Sequence, residues 1–106
     1  MNPTIATTDQ NPMNEIVYRF QQGEIEALVP LIQENIRYVV TAAKDYQDKG
    51  VSLKDLISAG IRGLIAGAEH YDLAAEYRFM TYAIWWIRQE MLQAIRRAKT
   101  DVSSSK

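Results

Sequence analysis

The sequence predicts an all-α protein, a compact bundle of about four helices, and three observations carry that reading. Apolar residues recur at helical spacing almost everywhere after residue 13, which is the mark of helices with one face against a core. No segment alternates apolar and polar residues in the manner of a half-buried strand. Finally, 106 residues of which 47% are hydrophobic and 24% charged suit a single globular domain with its own core.

The first helix is short and amphipathic, from Asn14 to Gln22, and Gly23 stops it. The second is expected over Glu24 to Asp48, with Ile25, Leu28, Val29, Ile32, Ile36, Val39, Val40, Ala43 and Tyr46 on its buried face. Pro30 should kink or split it, because proline lacks the backbone donor and clashes with the preceding turn. Lys49-Gly50 closes it. Ser52 is an N-cap with Asp55 three residues on, so a third helix begins there. It carries Leu53, Leu56, Ile57, Ile61, Leu64, Ile65 and Ala68 toward the core. Gly60, Gly63 and Gly67 each weaken an isolated helix by up to ~1 kcal/mol, so their presence implies close approach of another backbone. Tyr71-Asp72 opens a polar loop, and the last helix runs from Phe79 to Ala98. The expected organisation is a disordered segment over 1–13, a helical domain over 14–99 and a flexible tail over 100–106.

Composition narrows the function. There are no cysteines, which removes disulfides, thiolate metal sites and a cysteine nucleophile. Met1 to Pro12 lacks a basic start and an apolar run, so no signal peptide or membrane anchor is expected there and a cytoplasmic location is the default. His70 is the sole histidine, with no cluster of acids around it, so no metal or other cofactor is expected. No nucleophile, base and acid constellation and no glycine-rich phosphate loop is present, so no enzymatic activity is expected. The net charge of -1 conceals an asymmetry: residues 1–77 hold 6 Lys/Arg against 11 Asp/Glu, whereas 78–99 hold Arg78, Arg88, Arg96, Arg97 and Lys99 against Glu90 alone. A basic end attracts phosphates even on a mildly acidic protein, since salt limits each charge's reach to about 10 Å.

The last helix has more large rings than a core needs. Trp85 and Trp86 point about 100° apart on a helix, so at most one enters the core built by Ala83, Ile84, Ile87, Met91 and Ile95. Tyr82, Trp85, Trp86, Gln89 and Gln93 form one stripe at steps of three and four. Rings beside arginines and amides suit unstacked bases, and glutamine suits a base edge. From pattern alone two readings stay open, that stripe or plain core. Likewise Arg96, Arg97 and Lys99 read equally as a solvated helix end or as phosphate contacts.

The run Asn35-Ile36-Arg37-Tyr38-Val39-Val40, then Leu53-Lys54-Asp55-Leu56-Ile57 followed by Gly60, Gly63 and Leu64, then Tyr77-Arg78-Phe79-Met80-Thr81-Tyr82-Ala83-Ile84-Trp85-Trp86-Ile87-Arg88-Gln89 resembles region 2 of the primary, sigma-70, bacterial sigma factors. The resemblance covers residues 24–97 in order and spacing. It implies a domain that binds the RNA polymerase core and that recognises and melts the -10 promoter element. By position, Leu53, Asp55, Leu56, Ser58, Ala59, Ile61, Arg62 and Ile65 would meet the clamp coiled coil of the polymerase's largest subunit. Tyr77, Phe79, Thr81, Tyr82, Trp85 and Trp86 would melt and capture the non-template strand. Gln89 would read the upstream base pair, Arg78 and Arg88 would hold phosphates, Asn35 and Met80 would border a pocket for a flipped base, and Gln93 and Arg96 would extend the DNA-binding face. An anti-sigma factor is a further candidate partner, and a membrane is not.

The departures from the family pattern are Ser58, Ala59 and Ile61, where it carries polar residues toward polymerase, and Ala74, Ala75 and Glu76, where its loop commonly has arginines and a glycine. They keep a second class in view, a sigma-like interaction module that binds polymerase or a regulator without opening DNA. A third class, a helix-turn-helix reader, would prefer intact duplex. Nothing in the chain resembles the sigma regions that bind the -35 element.

Overall fold

The structure is a computed structural model that describes residues 12–104, with side-chain environments over 12–100. The expected disordered segment falls, up to residue 11, outside the described residues. Helix α1 spans Pro12–Gln21, beginning ahead of the expected Asn14. Proline suits the opening position because its missing N–H would have no intrahelical acceptor there. Gly23 turns the chain at φ 95°, a region glycine enters without steric cost.

The break expected at Pro30 lies ahead of it. A 3-10 turn over Ile25–Ala27 leads into α2, Leu28–Lys44, so Pro30 sits in the first turn of α2, where a backbone donor is not called upon. The buried stripe of α2 is rotated from the expected one. Leu31, Asn35, Val39, Ala42 and Ala43 are buried, while Ile25 and Val29, expected inside, are 65% and 58% exposed. The helix ends at Lys44, before Asp48, and the chain leaves through two left-handed residues, Asp48 at φ 67° and Gly50 at φ 94°.

Helix α3, Leu53–His70, starts as the capping pattern requires: the Ser52 hydroxyl accepts the Asp55 backbone N–H at 3.1 Å. Helix α4 covers Phe79–Ser104, continuing past Ala98 through residues expected in a flexible tail. Thr100 lies within it and its hydroxyl donates to the Arg96 carbonyl at 3.0 Å. Among the described residues there is no strand, and no helix is long and apolar enough to cross a membrane.

Helices α3 and α4 form the principal antiparallel pair, with α2 packed on α3 and α1 against both α3 and α2. The core joins Val17, Leu31, Val39, Leu56, Leu64, Phe79, Ile87 and Met91, all fully buried. The expected close backbone approach occurs along α3. A β-carbon on Gly63 would stand 2.5 Å from the Trp86 carbonyl oxygen and 2.6 Å from the Ile87 α-carbon, and one on Gly67 would stand 3.2 Å from the Ala83 α-carbon. At Gly60 the obstacles are side chains, Met91 and Val39. The glycines thus give up helix propensity to let two backbones touch, and the contact fixes which residues of α4 face outward.

Candidate nucleic-acid interface

The site begins where α3 ends. Tyr71 caps the helix in an extended conformation (φ -65°, ψ 133°), and its ring is buried, edge-on to Phe79 at 5.3 Å. Its hydroxyl donates to the Tyr77 backbone carbonyl at 2.6 Å. Burial holds this phenol above its ordinary ionisation range, with the neighbouring Tyr77 and Asp72 acting in the same direction. Between the two tyrosines Asp72 folds the loop, its carboxylate accepting the Ala74 N–H and its carbonyl the Ala75 N–H, each at 2.9 Å. From α1, the Gln21 side-chain amide donates to the carbonyls of Ala68 and Tyr71, both at 2.8 Å. That one side chain satisfies carbonyls the end of α3 would leave unpaired.

This frame carries an open, largely apolar groove of about 280 Å³ lined by Tyr77, Thr81, Tyr82 and Trp85. Tyr77 is 48% exposed and Trp85 57% exposed, so the surplus of rings noted in the sequence faces solvent in part. Tyr77 stacks on Tyr82 at 6.1 Å, with planes 28° apart. Trp86 stands behind them, edge to face with Tyr82 and Trp85, with one face covered by His70 at 4.7 Å. Its indole nitrogen is buried and has no hydrogen-bond partner among the described residues. Of the two adjacent tryptophans, Trp85 is therefore the ring open to a ligand, and Trp86 backs it.

Thr81, Trp85 and Arg88 are exposed at steps of four and three along α4, one continuous face. Arg78 and Arg88 are exposed and make no ion pair among the described residues. Glu76 is exposed on the same loop. Gln89 and Gln93 are half-buried, and the Gln93 amide oxygen accepts from Arg96 at 3.1 Å.

Two residues expected to touch DNA are buried in this structure. Phe79 is 1% exposed and anchors the first turn of α4 in the core. Asn35 is 3% exposed, and its amide donates to the Leu31 carbonyl at 2.8 Å with Met13 sulfur at 3.5 Å. It satisfies a buried polar group within α2. Met80 is half-buried against the core.

The face expected to meet polymerase divides likewise. Leu56 and Ala59 are fully buried and are core residues. Asp55, Ser58 and Arg62 are exposed, with Leu53, Ile61 and Ile65 half-buried beside them. Arg62 reaches across to Glu90 of α4 at 3.7 Å. Tyr71 and Gln21, which hold the groove, were not picked out from the sequence; the two tyrosines six residues apart were its one faint signal. Among the described residues no group of three or more His, Asp or Glu is arranged to hold a metal.

Comparison with known proteins identifies the family. Residues 31–100 match the family described as Sigma-70 region 2. The chain is 42% identical over 90 residues to the RNA polymerase sigma factor SigA1 of Synechococcus elongatus, an alignment covering 85% of this chain and 22% of that protein. It is 44% identical over 90 residues to SigA of Nostoc sp., covering 85% and 23%, and 45% identical over 73 residues to sigB of Arabidopsis thaliana, covering 69% and 12%. The chain thus spans less than a quarter of the length of these curated relatives. It belongs to the sigma-70 family as a region 2 domain.

Proposed function

We propose that the chain serves as the region 2 module of a transcription initiation factor, joining core RNA polymerase to promoter DNA and capturing the non-template strand of the -10 element as it opens. The observation that carries this is the solvent-facing groove of Tyr77, Thr81, Tyr82 and Trp85 flanked by Arg78 and Arg88. Opening a duplex costs a few kcal/mol for each base taken from the stack, so a protein favours it by offering surfaces that bind the freed bases. Ring stacking supplies about 1 to 3 kcal/mol per base, and the arginines hold phosphates on either side. No bond is made or broken. The outer face of α3, with Asp55, Ser58, Ile61, Arg62 and Ile65, is the proposed polymerase surface. It lies on the other member of the helix pair, so both ligands are accommodated at once.

The test is binding of a fluorescent single-stranded -10 oligonucleotide to the full chain, against duplex and scrambled strands. Preference for the single strand, lost in Trp85→Ala, is expected; equal binding of wild type and variant would end the stacking model. The interaction-module reading draws on the burial of Leu56 and Ala59, which narrows the polymerase surface, and on Glu76 near the DNA path. It predicts retention of core polymerase on the chain with no oligonucleotide binding at all.

A further inference from the structure

Within the groove, three of the four lining residues sit on α4, and Tyr77 alone comes from the loop before it. A half-exposed ring on a loop needs something to hold it at a stacking distance. The contact that does so is made by Tyr71, whose hydroxyl donates to the Tyr77 carbonyl at 2.6 Å while its ring is wedged among Tyr77, Phe79 and Tyr82 at 6.1, 5.3 and 5.8 Å. Tyr71 is in turn anchored: it is 4% exposed, and its own carbonyl accepts from the Gln21 amide of α1. Resting on the base-capture reading above, we infer that Tyr71 is a positioning residue for nucleotide binding, its hydroxyl latching the 72–78 loop so that Tyr77 is held at the groove it shares with Trp85 before any base arrives. The latch lowers the ordering cost of binding, since a loop already in its bound conformation loses less freedom on contact. The hydroxyl acts here as a donor to a backbone carbonyl, so phenylalanine keeps the packing and loses only the latch.

The experiment uses Tyr71→Phe in the full chain, with three readouts. Hydrogen exchange of the 72–78 amides should rise about tenfold or less, the scale of one neutral hydrogen bond, with exchange in α2 unchanged. Affinity for the single-stranded -10 oligonucleotide should fall about three- to tenfold, and this loss should vanish in a Tyr77→Ala background, where no ring remains to be placed. A general loss of stability would not vanish in that way. Unchanged exchange in the loop, unchanged affinity, or an equal loss with and without Tyr77 would each overturn the inference. If the wild-type chain fails to bind the oligonucleotide, the base-capture reading falls and a role for Tyr71 in binding falls with it. Accelerated loop exchange would then still establish the latch as a structural contact.

Discussion

The imidazole of His70 lies flat against the indole of Trp86, with centroids 4.7 Å apart and planes 15° from parallel. His70 ends α3 and its Nδ1 lies 2.8 Å from the Ala66 carbonyl, which orients the ring over the tryptophan. In a Trp85→Phe background, where Trp86 alone reports, His70→Ala should shift the fluorescence emission to the red as one indole face meets water. Stability should drop by about 0.5 to 1.5 kcal/mol, the worth of a stacked ring pair. An unchanged emission maximum would mean that the stack does not persist in solution.

Gly63→Ala tests the contact between α3 and α4. Its added carbon meets backbone, which cannot swing aside as a side chain can. The expected loss is about 1 to 3 kcal/mol by urea denaturation, even though alanine is the better helix former. A gain in stability would show that the helices are farther apart than described.

Trp85→Ala and Phe79→Ala should separate recognition from folding. Trp85 is largely exposed, so its removal should change stability by no more than about 0.5 kcal/mol while weakening oligonucleotide binding by about 1 to 3 kcal/mol. Phe79 is buried, and its truncation should cost about 3 to 5 kcal/mol of stability. Chemical denaturation and fluorescence anisotropy on the same samples measure both quantities.

The phenol of Tyr71 makes an alkaline prediction. In the unfolded chain it ionises near its ordinary value of 10.0, whereas burial raises it in the folded protein. The folded state therefore holds the proton more tightly, and its contribution is fully present below pH 10, then lost as pH climbs through the higher folded value. Urea midpoints compared at about pH 8 and about pH 11 should fall less for Tyr71→Phe than for wild type. An equal fall in both proteins would place the alkaline sensitivity elsewhere.

Salt dependence tests the arginines. Each phosphate contact with a single strand contributes about 0.7 to the slope of log affinity against log salt. Arg78→Ala and Arg88→Ala should each reduce the slope by about that amount, with isothermal titration over a range of chloride concentrations as the measurement. A wild-type slope near zero would favour the protein-interaction reading.

The helices and the glycine contact were legible because they follow from periodicity and backbone chemistry. Ser52 caps α3 as its residue type implies, and Gly63 meets the partner backbone as its missing side chain implies. Phase and three-dimensional neighbours were less legible. Proline can interrupt a helix or begin one, and within the single helix Leu28–Lys44 packing against α3 leaves Val29 outward and Asn35 inward. Phe79 and Trp85 belong to one aromatic run, yet one anchors and the other faces solvent, a distinction set by the packing of α4 on α3. Gln21 lies 50 residues before Tyr71 in the chain, and no local pattern connects them.

Glycine-mediated contact between α3 and α4 has a mechanical result. Neither helix can slide by a turn without driving a side chain into the other's main chain, so Thr81, Tyr82 and Trp85 form the fixed jaw of a vice. The other jaw, the single ring carried by the loop, is set in place by the buried phenol behind it, so neither side is left to adapt. Discrimination among nucleotides should accordingly follow from which bases fit a gap of set width.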